Sequence, residues 1–270
     1  MELQLKGKRA LITGSSSGIG EEIARTFARE GAAVVVHGRN SERTKAVATS
    51  IRTDGGEAAF VTGGLLEQAD VESVAAEAIE VYGGIDILVN NAGGRPETGP
   101  STWDEVSSTV WASCFALNVI APAILASKVL PEMRRNDWGR LIQISSAQSY
   151  DPRPDTPEYG ACKGAINTVT VSLSKNLEGT GVTANTISPG AIGTPALRAV
   201  MHSKASAMGW PEDPEELERV AVASRWPSTV GRLGKPGEIA AAVLLLASPL
   251  GGFITGANLR VDGGRTGVVI

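Results

Sequence analysis

The sequence predicts a three-layer, doubly wound α/β fold built on a parallel sheet of about seven strands. Short β-branched runs alternate with longer segments whose apolar residues recur at helical spacing. The strand runs ALIT, AAVVV and IDILV are apolar at successive positions, so both faces of the sheet must be covered by helices. A glycine-rich turn joins the first strand to the first helix. Alternation of this kind implies right-handed crossovers.

Taken in order, residues 9–13 read as a strand and 18–30 as a helix, separated by the glycines at 14, 18 and 20. A second strand at 33–37 is all but continuous in Ala and Val, and a helix follows from 41 to about 53. Strands at 58–62, 85–90 and 140–145 are separated by helices from about 70 to 82 and from 111 to 135. A helix spanning 159–177 leads into a strand at 182–187; 238–246 is the last good helix and 258–261 the last strand. No composition shift or linker divides residues 1–270, so a single domain is expected. Residues 195–228, with Met201, Met208, Trp210 and Trp226 among polar residues and prolines, read as a helical excursion. In such a fold it would lie over the sheet's C-terminal edge, where ligands bind.

Composition narrows the function. The 270 residues are 42% hydrophobic and 20% charged, with a net charge of −4 and no basic stripe, which argues against a nucleic-acid partner. Cys114 and Cys162 are far apart in sequence and lack a partner motif, so neither a metal site nor a disulfide framework is expected. They suit a reducing compartment. The segment MELQLKGKRALITG holds no apolar stretch of signal or membrane-spanning length, and a cytoplasmic protein is the expectation.

The turn Thr13-Gly14-Ser15-Ser16-Ser17-Gly18-Ile19-Gly20 has the spacing G-x-x-x-G-x-G. Placed between strand and helix, it lets a pyrophosphate approach free N–H groups at the positive end of a helix dipole. This turn, Asn90-Asn91-Ala92-Gly93, Tyr159-Gly-Ala-Cys-Lys163 and Ser188-Pro189-Gly190 stand in the order and approximate spacing of one family. With Arg232 to Ala240, Ile254 to Ala257 and Val261 to Gly264 added, the chain resembles the short-chain dehydrogenase/reductase family over essentially its whole length. The resemblance implies a Rossmann-type fold, a nicotinamide cofactor, and hydride transfer between that cofactor and a carbonyl or alcohol.

The cofactor residues that the resemblance implies are Gly14, Ser16, Ser17, Gly18, Ile19 and Gly20 in the turn, and Asn91, Ala92 and Gly93 after the fourth strand. Pro189, Gly190, Ile192 and Thr194 follow the sixth strand and would face the nicotinamide, with Thr194 on its carboxamide; Tyr159 and Lys163 complete the set. NAD-preferring enzymes place a carboxylate at the end of the second strand, whereas this sequence has Gly38 followed by Arg39. A guanidinium there can pair with a 2′-phosphate, so NADP(H) is expected over NAD(H). His37 reads as a packed strand-end residue. The sequence departs from the family at Gly64, where an aspartate usually meets the adenine, which puts that contact in doubt.

Carbonyl reduction needs an acid for the developing alkoxide, and a free tyrosine with pKa near 10 titrates too high to serve as base at neutral pH. Among three tyrosines only Tyr159 has a lysine four residues on, one helical turn away. The Lys163 ammonium and an oxidised nicotinamide would favour the phenolate; a shift of roughly three units corresponds to about 4 kcal/mol. The resemblance assigns Ser146 to the substrate oxygen, with Ser145 as its neighbouring competitor, and makes the Asn118 backbone the holder of a water that relays protons to Lys163.

The substrate pocket is expected between residues 94–96, 147–150, 191–192 and the excursion, with Tyr150, Leu197, Met201, Met208 and Trp210 as lining candidates. Arg95 or Arg153 could meet an anionic group. Relatives usually form tetramers through the two long helices, so a homotetramer or homodimer is implied. Two other functions share part of the pattern. A 3-oxoacyl-thioester reductase has the same motifs but calls for a basic patch for its carrier protein, and a non-catalytic NADP-sensing or scaffold protein would commonly have lost the tyrosine or lysine.

Overall fold

The computed structural model describes residues 2–95 and 102–267. Its strands are β1 (Arg9–Ile12), β2 (Ala33–Gly38), β3 (Glu57–Thr62), β4 (Ile87–Asn90), β5 (Gly139–Ile144), β6 (Val182–Pro189) and β7 (Asn258–Val261). They pair in parallel as one sheet of order β3-β2-β1-β4-β5-β6-β7. The order reverses between β1 and β4, which opens a crevice at their C-terminal ends.

The apolar strand runs are explained by side-chain alternation. Ala10 and Ile12 of β1 and Val34 and Val36 of β2 enter one core; Leu11 and Val35 enter the other. The first core is closed by α1 (Gly18–Arg29), α2 (Ser41–Thr53) and α9 (Pro236–Ala247), through Phe27, Ile51 and Val243. The second is closed by α3 (Gln68–Tyr82) and α5 (Ala121–Arg135), through Val74, Leu125 and Met133. The sheet is thus buried on both faces.

The predicted single helix at 111–135 begins earlier and is interrupted. Ser107 caps α4 (Ser108–Phe115) by accepting from Val110 N at 3.3 Å, and a π-helical turn at Ala116–Ile120 joins α4 to α5. Periodicity cannot reveal one extra residue in a turn, because the apolar spacing on either side still reads as helical. By length and composition the continuous helix 108–135 could cross a membrane, yet Ala121, Leu125, Val129 and Met133 along it are buried against the sheet.

Between β6 and α9, the excursion folds as α7 (Pro195–Met208) and α8 (Pro214–Arg225). These helices form their own small core of Met201, Trp210, Leu217, Ala221, Val222 and Leu233. The remaining long helix, α6 (Pro157–Asn176), packs beside β6 and against α4.

Candidate active site

The turn after β1 is shaped by close backbone approaches. Gly14 and Gly18 have φ of 64° and 62°, a left-handed region that disfavours side chains. A Cβ on Gly20 would lie 2.4 Å from Asn91 Nδ2 and 2.5 Å from the Gly14 carbonyl oxygen. Asn91 explains this crowding: its Nδ2 donates to the carbonyls of Thr13 at 2.9 Å and Gly14 at 3.1 Å. Thr13 Oγ1 accepts from the N–H groups of Asn91 and Ala92, both at 3.0 Å, and Ala92 packs on Gly14. Ser15 stitches β1 to β2, donating to the Ile12 carbonyl at 2.7 Å and accepting from His37 N at 2.9 Å.

His37 is buried, and its Nδ1 accepts from Gly14 N at 3.2 Å. Burial pulls its pKa down to about 4, against a smaller opposing effect of the Gly63 backbone. The imidazole is therefore a neutral acceptor that steadies the turn. Ser17 places no side-chain cap on α1, so the first-turn amides at Gly18, Ile19 and Gly20 have no side-chain acceptor. That arrangement fits a pyrophosphate.

Two further positions bear on the adenosine end. A Cβ on Gly38 would lie 2.6 Å from Thr44 Oγ1 and 2.7 Å from Ser16 Oγ, so a side chain there would have to displace Thr44 or Ser16. Arg39 follows and is exposed. At Gly64, the position of a Cβ lies 3.2 Å from Asp70 Oδ2. The carboxylate missing from the strand end thus has a neighbour in the first turn of α3, which spacing along the chain did not reveal.

The reacting groups come from β5, α6 and the π turn. Ser146, just past β5, lies by the Tyr159 phenol and favours its ionised form, and its Oγ accepts from Gln148 N at 3.2 Å. Ser145 turns the other way and donates to the Lys163 carbonyl at 2.9 Å, which gives it a structural role. Lys163 is buried; its Nζ donates to the Ile144 carbonyl at 2.9 Å and lies 5.5 Å from the centre of the Tyr159 ring. Gly93 sits between Lys163 and Asn118: a Cβ there would be 3.0 Å from Lys163 Nζ and 2.8 Å from Asn118 Oδ1.

The titration of these groups departs from the sequence expectation. Burial pushes the Tyr159 phenol up to about 12, and burial pulls the Lys163 ammonium down to about 8. Within the chain, desolvation of the phenol outweighs the opposing pull of Ser146. The phenol is held in its proton-donating form.

Cys114 and Cys162, distant in sequence, are both buried, on α4 and α6, close enough to perturb each other's thiol. That proximity and burial hold the Cys162 thiol above the ordinary range, while the same proximity holds Cys114 below it. Asn118 Nδ2 also lies 3.6 Å from Cys114 Sγ. Sequence spacing had offered no link between the two cysteines.

A family model for short chain dehydrogenases matches residues 8–205, spanning the glycine turn, Asn91, Ser146, Tyr159 and Lys163. The chain belongs to the short-chain dehydrogenase/reductase family. A glucose 1-dehydrogenase of Gluconobacter oxydans is 35% identical over 262 residues, covering 96% of this chain and 92% of that one. The structure is similar to L-sorbose reductase of Gluconobacter frateurii complexed with NADPH and L-sorbose, at TM-score 0.93 and 29% identity over 100% of both chains. A 7α-hydroxysteroid dehydrogenase complexed with NADH and a 7-oxo bile acid superimposes at TM-score 0.84 and 32% identity, covering 100% of this chain and 98% of that one.

In this short-chain dehydrogenase, Ser17, Gly18, Ile19, Gly20, Asn91, Gly93, Ser146, Tyr159, Lys163, Pro189, Gly190, Ile192 and Thr194 line one cavity of about 380 Å³. Gly14, Ser16, Ala92 and Arg39 are outside its walls, Gly14 packing on Ala92 and Ser16 beside Gly38. Thr194 caps α7, its Oγ1 accepting from Leu197 N at 3.2 Å, and touches the space above Gly18. The expected lid contacts need correction. Leu197 lines the cavity, but Met201 and Trp210 are spent in the lid's own core, Met208 is exposed, and Tyr150 stands outside the lining. An amphipathic helix must bury its apolar face somewhere, and these two chose each other. Pro96 lies outside the described residues. Arg95 pairs at 2.7 Å with Glu158, the buried neighbour of Tyr159. Trp226 and Arg265, which sequence reading passed over as pocket residues, do line the cavity.

Proposed function

We propose that this chain interconverts a ketone and a secondary alcohol with NADP(H) as its redox partner. Bound NADPH supplies a hydride to the carbonyl carbon, or NADP⁺ receives one from the alcohol. The observation that carries the reading is the convergence of Ser146, Tyr159 and Lys163 on one cavity that continues into the uncapped start of α1.

In the reducing direction, Ser146 and Tyr159 would hold the substrate oxygen between two hydroxyls, and Tyr159 would pass its proton to the developing alkoxide. Lys163, fixed by the Ile144 carbonyl, orients the site and lends positive charge beside the phenol. Asn118 holds the loop carrying Gly93 and Gly94 against the ammonium. Preference for NADP(H) is supported by the crowding that a side chain at position 38 would meet and by the exposed guanidinium of Arg39. The carboxylate of Asp70 beside Gly64 would stand where the adenine contact is expected. Exposed Ile120 and Val171, on the two long helices, fit packing against further copies of the chain.

The test is spectrophotometric. Purified protein is assayed with NADPH and with NADH against ketones, sugars, oxo-steroids and a 3-oxoacyl thioester. Oxidation of NADPH by a simple ketone, with a kcat/KM at least about tenfold above that with NADH, is expected. Turnover confined to the thioester would favour the acyl reductase, and absence of turnover with intact NADPH binding would favour a sensing role.

A further inference from the structure

We infer that the substrate of this site carries a carboxylate, and that Arg265, with Arg153 beside it, holds that group. The inference rests on the carbonyl-reductase reading above and names the class of compound the same site takes.

Arg265 is brought to the cavity by a rigid turn after β7. Asp262 Oδ1 accepts from Gly264 N at 3.0 Å and its Oδ2 from Thr266 N at 3.1 Å. The turn packs directly on Gly190, where a Cβ would lie 2.8 Å from Asp262 Cα. The side chain it carries is only 11% exposed and lines the cavity that holds Ser146, Tyr159 and Lys163.

What distinguishes this arginine is how little answers it. Its Nε is buried without a hydrogen-bond partner, and its guanidinium donates no side-chain hydrogen bond among the described residues. The carboxylate facing it, Asp151, stands 3.6 Å away, too far for a hydrogen bond, and is itself 57% exposed. A buried guanidinium with unused donors is costly unless an acceptor arrives.

The neighbouring charges cannot supply that acceptor. Arg153 lines the same cavity, and its fork grips Asp155 at 3.0 and 3.2 Å. Asp155 is also claimed by Arg225 from the lid, at 2.6 Å. Burial works to raise the Asp155 carboxyl, but hydrogen bonds from Arg153 and Arg225 outweigh it and hold the group ionised. Arg153 and Arg225 thus share Asp155, while only the distant Asp151 faces Arg265, and among these five groups one positive charge remains over. A monoanion balances it. A carboxylate also matches the planar fork that Arg265 leaves open.

The experiment compares matched substrates on the full chain: ketones bearing a carboxylate, the methyl esters of the same skeletons, and the corresponding phosphates. Each is assayed with NADPH in the native protein and in Arg265→Met, Arg265→Lys and Arg153→Met. We expect the native protein to prefer acid over ester by about tenfold to a hundredfold in kcat/KM, the span of one charged hydrogen-bonded contact. Arg265→Met should collapse the acid-to-ester ratio toward one, and Arg265→Lys should restore part of it. NADPH affinity, read by nicotinamide fluorescence, should stay within about twofold in each variant. A flat ratio in the native protein, a ratio untouched by Arg265→Met, a preference for the phosphate, or a loss of NADPH affinity in its place would overturn the assignment.

A dead-end measurement separates this from the underlying reading. Calorimetric titration of NADPH-loaded protein with hydroxy acids and their esters needs no turnover. Tighter binding of the acids, lost in Arg265→Met, supports the carboxylate site even if no ketone is reduced. Equal binding of acids and esters refutes it even if neutral ketones are reduced well.

Discussion

The side-chain amide of Asn118 engages both polar groups of the Gly94 backbone: Nδ2 donates to the carbonyl at 2.7 Å, and Oδ1 accepts from the N–H at 3.0 Å. Nδ2 also reaches the Cys114 carbonyl at 2.9 Å, one turn earlier on its own helix. The π turn thus fastens the loop after β4 to the helix facing Lys163. The sequence resemblance gave Asn118 a role through its backbone; the structure adds a role for the side chain.

Replacing it should uncouple the two. Asn118→Leu strands the N–H and C=O of Gly94 and a helix carbonyl, at a cost of about 3 kcal/mol. Differential scanning calorimetry should show a drop in Tm of about 6–12 °C. Asn118→Asp, which keeps the acceptor and loses the donor, should fall between the two proteins. Equal melting temperatures for all three would remove the clamp from this account.

Tyr159→Phe preserves the ring and deletes the proton donor. Turnover of any ketone should fall by about a hundredfold to ten-thousandfold, while NADPH affinity by fluorescence titration stays near the native value. Retained turnover would dismiss the phenol from proton transfer.

Lys163 gives activity and stability opposite pH trends. Its pKa is lowered by burial from 10.5 to about 8, so the folded chain releases this proton before the unfolded chain does. Between pH 8 and 10.5 the unfolded state binds the extra proton, and the lysine's contribution to stability rises with pH by about 3 kcal/mol. Over the same range the ammonium is lost and ketone reduction should slow. Urea titrations at pH 7.5 and 10 on native protein and Lys163→Met measure this; the rise belongs to the native protein only.

His37 titrates on the acid side. Its folded pKa of about 4 lies below the ordinary 6.5, so the unfolded chain takes up the proton first as pH falls. Stability is unaffected above pH 6.5 and declines by about 3 kcal/mol toward pH 4. Protonated Nδ1 can no longer accept from Gly14 N, so NADPH affinity should hold down to about pH 4 and weaken only below it. In His37→Asn, where an amide oxygen can accept the same hydrogen bond, both slopes should flatten.

Strand and helix positions were legible because each depends on a local period. β2 was read as 33–37 and forms at Ala33–Gly38; α2 was read as 41 to about 53 and forms at Ser41–Thr53. The glycine turn and the Tyr159–Lys163 pair were legible because each lies within one short stretch of chain. The lid was located, but its lining was not: Met201 and Trp210 look identical in sequence whether they face a ligand or each other. The Cys114–Cys162 contact had no local signature, since it depends on how α4 packs on α6.

By itself the sequence determined the double-sided sheet, the glycine turn between β1 and α1 and the spacing of Tyr159 and Lys163, because alternation, glycine placement and one helical turn are short-range properties of the chain. Tertiary structure alone decided that desolvation outweighs Ser146 in setting the Tyr159 phenol. It also decided that Arg153 and Arg225, from the loop before α6 and the lid, meet on Asp155, and that Arg265, from the turn after β7, lines the same cavity as Arg153. Desolvation and ion pairing depend on distances across the folded chain, and no spacing along the sequence encodes them.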